Sequence, residues 1–277
     1  MKSSATGRWT SRIWLFAGLL FLYLPIISLI LYSFSESSII NDWTRFSLKW
    51  YRALFNDERI GASLWVSLKV AAMSATGSVL VGTLAAYTIL RYKKFLGRRL
   101  FLGMVNAPLV MPDVIVGLSL LLLVVTMQNL FSLEGSRNIY TIWVGHMLVG
   151  TAYATVVIMA RLREINLQYE EAALDLGARP FQVFHLITLP MIGQSLAAAW
   201  LLTFTLSLDD VVIASFLSGP SATTLPVEIF SRAQRGLDPT VNALSTVIII
   251  VVSVAVIAAS YLIARREKRV WKETFGR

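Results

Sequence analysis

Six stretches of this chain, residues 13–34, 63–90, 100–131, 139–160, 190–217 and 240–264, are long, apolar and nearly free of charge. An α-helix rises about 1.5 Å per residue, so roughly 20 apolar residues cross the ~30 Å hydrocarbon core of a bilayer. A chain of 277 residues that is 56% hydrophobic and only 15% charged cannot cover a soluble globule with polar surface. The fold class read from these facts is an all-α integral membrane protein with six transmembrane helices. The first stretch follows Lys2, Arg8 and Arg12, as the core of a secretory signal would. It is longer than a signal core and no small-residue cleavage site follows it, so it reads as a permanent span.

The basic residues orient the spans. With the N-terminus inside, the inner segments hold 17 Lys and Arg: 3 in residues 1–12, 5 in 91–99, 3 in 161–189 and 6 after Ala264. The outer segments hold 7, and Lys69 lies within a span. This bias predicts that both termini are cytoplasmic. It also accounts for the net charge of +9 without nucleic acid, because the excess faces anionic headgroups of the membrane lipid.

Enzyme classes fall away. The chain has no cysteine, hence no disulfide, thiolate nucleophile or Cys-based metal site. It has no H-E-x-x-H zinc motif and no G-x-x-x-x-G-K-[ST] phosphate loop. Its two histidines lie apart, His146 as a polar packing group within the fourth span and His185 on a polar loop. No catalytic or metal-ligating set is predicted.

Three spans carry detail. In the second, Ser74, Ser78, Gly82 and Ala86 recur every four residues beside Ala71 and Ala75, a spacing that lets another helix approach closely. The partner is either a helix of this bundle or one of another subunit. Lys69 reads as an anchor reaching toward headgroups. The third stretch is too long for one span, and Pro108 and Pro112 are its candidate breaks. Asp113 then either caps the helix restarting at Pro112 or faces a polar pathway. The fifth carries Asp209 and Asp210. Counted from the cytoplasmic ends, Asp113 lies about 20 Å in and Asp209 about 28 Å in, which puts all three acids in the outer half of the membrane. They have no basic partner in their own spans and suit a cation. Neighbouring residues project about 100° apart on a helix, so one of Asp209 and Asp210 is expected to face the pathway.

The segment EEAALDLGARPFQVFHLITLP (170–190) is unlike a span. Glu170 and Glu171 suit the first turn of a helix, where the dipole favours negative charge. Ala172, Ala173 and Leu176 make a narrow apolar face, and Gly177 supplies a left-handed stop. Pro180 suits the first position of a second short helix, and Leu189-Pro190 turns the chain into the fifth span. The product is a cytoplasmic helix–turn–helix knob that either docks on a protein or rests on headgroups.

Glu171-Ala172-Ala173, three residues, Gly177, nine residues, Ile187, one residue and Leu189-Pro190 resembles the complete EAA loop of ABC-importer permeases. In that family the loop forms coupling helices that insert into a groove of the ATP-hydrolysing subunit. The six spans resemble the type I ABC importer permease fold, which implies one transmembrane permease domain over 1–277 with its coupling loop at 161–189. The segments APLVMPDVIVGLSLLLL (107–123), FTLSLDDVVIASFLSGPSATTLP (204–226) and GLDPTVNAL (236–244) are similar to permeases of bacterial spermidine and putrescine importers, most of all the shorter, putrescine-type permease. The resemblance implies an ATP-driven importer working by alternating access in the bacterial inner membrane. Its implied partners are a second homologous permease subunit, two ATPase subunits that hold the ATP and magnesium, and a periplasmic polyamine-binding protein. This chain would carry no cofactor of its own. Spermidine is the alternative cargo, and a proton-coupled secondary transporter using Asp113 and Asp209 is the alternative class; the EAA loop argues against the latter.

The cysteine-free background permits a direct test of orientation. An impermeant thiol reagent added to intact cells is expected to label Glu134→Cys and to spare Lys94→Cys. Labelling of Lys94→Cys from outside would overturn the six-span topology.

Overall fold

Hydrocarbon offers a crossing chain no hydrogen-bond partner for its backbone, so each segment must satisfy its own N–H and C=O groups, and helices do this. A computed structural model describes residues 5–39, 42–92, 94–131, 137–236 and 239–275. Lys2, Lys93, Glu134, residues 237 and 238 and the last two residues of the basic tail lie outside the described residues. The helices are α1 (Ala5–Tyr32), α2 (Lys49–Phe55), α3 (Glu58–Arg91), α4 (Arg98–Val110), α5 (Asp113–Leu130), α6 (Ile139–Glu164), α7 (Gln168–Asp175), α8 (Pro180–Val183), α9 (Leu189–Met191), α10 (Gly193–Asp209), α11 (Val212–Leu217), α12 (Leu225–Arg235) and α13 (Pro239–Phe275). A π turn, Phe184–Thr188, joins α8 to α9.

Five of these contain segments long and apolar enough to cross a bilayer: Ser11–Tyr32, Glu58–Arg91, Asp113–Leu130, Ile139–Glu164 and Pro239–Ala258. The pair Pro180–Met191 and Gly193–Asp209, which meet at an angle of 70°, is long and apolar enough only when taken together, so the described residues hold five such segments, or six if the bent pair counts as one span. The broken spans depart from the sequence expectation in their details. The third breaks at Met111–Pro112, where the backbone is extended, whereas Pro108 stays inside α4. Pro108 lies in the last turn of α4, where its missing N–H costs one hydrogen bond and not the helix. The chain enters the fifth span by turning at Ile192 and not at Leu189-Pro190, which are helical. The π turn absorbs the proline there: the Leu189 N–H reaches back five residues to the Phe184 carbonyl, one residue ahead of the N–H that Pro190 lacks. The fifth span breaks again after Asp209, so its expected run to Leu217 is two helices.

The chain forms two compact units, one of Met1–Glu58 with Ser231–Arg277 and the other of Arg59–Phe230. In the first, a Ser35–Phe46 bridge closes the segment after α1. Phe34 stacks on Phe46 at 5.4 Å, and Trp50 Nε1 donates to the Ser35 carbonyl at 2.9 Å. Arg45 hydrogen-bonds Glu36 and so holds its carboxyl below the usual carboxylate range. Arg232 pairs with Asp57 at 2.7 Å.

The second unit has two apolar clusters. Val116 and Leu120 of α5 meet Ile142 of α6 and Ile213, Ala214 and Leu217 of α11. Ala86 of α3, Ala154, Ile158 and Leu162 of α6, Ile192 and Ala199 of α10 form the other. The small-residue stripe of α3 is consumed here, within the chain. Ser74, Ser78 and Ala86 are fully buried, and Ser78 Oγ donates to the Met147 carbonyl of α6 at 3.1 Å. A Cβ on Gly82 would stand 2.9 Å from Ala154 Cβ and 3.1 Å from the Thr155 nitrogen, and one on Gly150 would collide with Ser78. Lys69 sits over the ring of Trp65 at 4.9 Å.

Because the α3–α6 contact is at its steric limit, Gly82→Val is expected to destabilise by about 1–3 kcal/mol. Gly61→Val, where a Cβ meets nothing within 4 Å, is expected to stay within about 0.5 kcal/mol. Thermal unfolding in detergent checks the pair; equal losses would contradict the assignment of the stripe.

Candidate functional site

Both breaks in the spans open onto one cavity of about 410 Å³. Asp113, the first residue of α5, lines it together with His146 and Tyr153 of α6, Thr203, Ser207 and Asp209 of α10, and Asp210 at the break. A volume of this size suits a small molecule. The three acids predicted from sequence are therefore brought together. Asp209 and Asp210 both line the cavity, Asp209 exposed and Asp210 half-buried at the break. Helical spacing does not set their relative directions, because α10 ends at Asp209 and Asp210 is extended (φ −68°, ψ 124°).

The acids differ in their surroundings. Asp210 accepts from the Ala214 nitrogen at 2.7 Å and the Ile213 nitrogen at 3.4 Å, and so caps α11. Its Oδ2 also lies 3.1 Å from His146 Nε2, though off the line of a well-directed hydrogen bond. His146 is buried, and its Nδ1 is 2.6 Å from Ser207 Oγ. Ser207 in turn hydrogen-bonds Ser74 of α3 at 3.2 Å, and Ser74 donates to the Val70 carbonyl at 2.6 Å. Asp113 is exposed to the cavity, and among the described residues its side chain takes no hydrogen bond or ion pair, so it does not act as a cap. Asp209 is likewise exposed. The Ser207–His146–Asp210 order invites comparison with a nucleophilic triad. Ser207, however, is buried and held by Ser74, and it faces the ring nitrogen opposite to the one a triad uses. Among the described residues no three His, Asp or Glu side chains are placed to share a metal ion.

The second site is the knob. α7 ends in a Schellman turn: Gly177 takes φ +89°, its N–H bonds the Leu174 carbonyl at 2.9 Å, and the Ala178 N–H bonds the Ala173 carbonyl at 3.0 Å. Pro180 opens α8, as its sequence position predicts. Glu171, Ala172, Leu176 and Phe181 are exposed, Leu176 at 89% and Phe181 at 76%. Ile187 and Leu189 are half-buried, and Leu189 packs on the second apolar cluster. The motif thus splits into an outward apolar edge and an inward anchor.

Sequence reasoning missed the anchor's main residue. Glu170 is not merely a dipole partner of α7; it is buried and receives both arms of Arg91, Nε to Oε2 at 2.8 Å and Nη2 to Oε1 at 2.6 Å. Thr188 of the π turn donates to the same Oε1 at 2.8 Å. His146, expected as a packing group, also meets Ser207 and Asp210. For His146 the signal was a polar side chain flanked by apolar turns, a pattern that asks for a partner; Glu170, between Gln168 and Glu171, carries no such signal.

Residues 78–272, more than half of the chain, match the family model described as "Binding-protein-dependent transport system inner membrane component". The chain is 48% identical over 255 residues to the putrescine transport system permease protein PotI of Escherichia coli, covering 92% of this chain and 91% of the relative. It is 38% identical over 246 residues to the spermidine/putrescine transport system permease protein PotC of Escherichia coli, covering 88% and 90%. Among solved structures, a bacterial ABC transporter involved in the import of the acidic polysaccharide alginate superposes with a TM-score of 0.67 at 19% identity, over 94% of this chain and 98% of that one. At that identity the likeness speaks for the fold alone.

The cap at Asp210 predicts a graded effect on stability. Asp210→Ala is expected to cost about 0.5–2 kcal/mol, and Asp210→Asn, whose one oxygen can still accept from the Ala214 N–H, clearly less. Thermal unfolding of the purified protein reads the difference, and equal losses would contradict the capping role.

Proposed function

This chain belongs to the binding-protein-dependent transport system inner membrane components, and from that membership we propose that it is the permease subunit of an ATP-driven importer carrying putrescine into the cytoplasm. The observation that carries the cargo assignment is the 48% identity to PotI across nine-tenths of both chains. The acidic cavity agrees with it, since an alkyl diamine needs carboxylates for its ammonium groups and apolar wall for its methylenes. Asp113 and Asp209 are the acids left facing the cavity, while Asp210 is engaged at the cap and His146. Spermidine, a triamine, is the alternative cargo. We assign the coupling role to Glu171, Ala172, Ala173, Gly177, Ile187, Leu189 and Pro190, with the exposed edge of the knob received by an ATPase subunit that supplies ATP and magnesium. A second permease subunit completes the pathway and a periplasmic polyamine-binding protein loads it. The chain acts as one permease domain of the bacterial inner membrane with both termini cytoplasmic.

Alternating access then follows from the broken helices. Movement of the knob tilts the elements behind it, and the cavity between α5, α6 and α10 changes the side on which it opens. The carboxylates sit where irregular backbone already demands water, so holding charge there costs less than within an unbroken span.

Uptake of labelled putrescine in a host without other polyamine importers tests the reading. Uptake is expected to require the co-expressed ATPase, and unlabelled putrescine is expected to compete better than spermidine. Asp→Asn at Asp113, Asp209 or Asp210 is expected to lower uptake by about tenfold at one or more positions with normal protein abundance. Parental uptake in all three variants and in the triple variant would make the acids structural. Gly177→Asp is expected to abolish uptake without loss of insertion, because a side chain at φ +89° is strained by about 1 kcal/mol or more and displaces the knob.

A further inference from the structure

The knob is tied to α3 by a buried cluster that the coupling motif does not include. Glu170 stands on α7, directly before the motif residue Glu171, yet faces inward. Its carboxylate takes both arms of the Arg91 guanidinium from the last turn of α3 and the hydroxyl of Thr188 from the π turn. Glu170 is 6% exposed and Thr188 fully buried. Aromatic contacts brace the same joint: the Tyr87 ring of α3 meets Phe184 of the π turn edge-on at 4.9 Å, and the Arg91 guanidinium lies over Tyr87 at 5.9 Å. A bidentate Arg–carboxylate pair fixes angle as well as distance, and one in which Glu170 is buried and Arg91 half-buried resists separation because the carboxylate would be left with little water.

Two arms lead away from this joint. One is α3 itself, an unbroken helix of 34 residues. Seventeen residues before Arg91, about 26 Å along the axis, it carries Ser74, hydrogen-bonded to Ser207 and through it to His146 on the cavity wall. The other arm runs from Thr188 through α9 and the 70° bend into α10, whose far end is Asp209. Both arms reach the same cavity from one carboxylate.

We propose that Arg91, Glu170 and Thr188 form the joint through which displacement of the knob is passed to the cavity, with Glu170 and Arg91 as positioning residues for transport. The proposal rests on the permease reading above. Without the ion pair, α7 can move while α3 and α10 stay, so ATP turnover would continue without driving the cavity. A contact that only stabilises the fold would instead lower the amount of assembled complex.

The test uses the full complex, co-purified with its ATPase through a tag on this chain. Tyr153→Cys in the otherwise cysteine-free chain places a thiol on the cavity wall. In the parent, ATP with magnesium is expected to change its rate of labelling by a soluble thiol reagent at least about fivefold, the lower end of ordinary coupling between two sites. Adding Glu170→Gln or Arg91→Met is expected to leave ATP hydrolysis in place and to abolish that change. The exchanged pair, Arg91→Glu with Glu170→Arg, is expected to restore part of it. Nucleotide-dependent labelling that survives in both single variants would overturn the proposal. So would loss of the ATPase from the Glu170→Gln complex, which would mark the pair as a folding contact. A parent complex that captures no ATPase, or whose labelling ignores nucleotide, would contradict the permease reading and the joint with it. Failure to carry putrescine would change the cargo and leave this result standing.

Discussion

A backbone that leaves helical geometry inside hydrocarbon frees N–H and C=O groups that only protein or water can satisfy. This chain leaves it at Met111–Pro112 and again at Asp210–Val211. Both breaks meet the same cavity, and the helices that restart from them, α5 and α11, pack against each other through Val116, Leu120, Ile213 and Leu217. One polar hollow therefore serves two interruptions. Asp210 satisfies two of the freed N–H groups, and Asp113 begins the other helix where its dipole favours a carboxylate. Asp210 makes the irregular backbone tolerable, which leaves Asp113 and Asp209 exposed beside it.

Close helix packing keeps that hollow in place. The driving force between helices in lipid is dispersion at short range, and α3 and α6 obtain it with small residues at the contact, Gly82 against Ala154 and Gly150 against Ser78. Hydrogen bonds then fix register, from Ser78 to Met147 and from Ser74 to Ser207. A rod so closely packed moves as a body. The joint at its end, where Arg91 holds Glu170, is thus placed to move α3 as a whole rather than to unwind it.

The spans were legible because a bilayer leaves an unusually strong record in sequence: length and lack of charge suffice to find them. The break at Pro112 could be read from a stretch too long to be one span, but Pro108 carries the same signal and lies in an intact helix, because a single lost hydrogen bond does not outweigh continued packing. Gly177 and Pro180 were legible through local turn chemistry. Glu170 was not, since its partner Arg91 lies 79 residues away and nothing in either neighbourhood names the other. The same holds for His146 and Ser207, 61 residues apart. The relative directions of Asp209 and Asp210 were not legible either, since helical spacing stops where Asp209 ends α10.

The central claim is that the cavity framed by the two breaks holds the cargo. The most direct measurement is a structure of the assembled complex with putrescine, trapped in the nucleotide state that closes the cavity to both sides. The account predicts density for a diamine between Asp113, Asp209 and Tyr153, absent from the triple Asp→Asn variant under the same conditions. Diamine density elsewhere along the pathway, with this cavity occupied only by water, would contradict it.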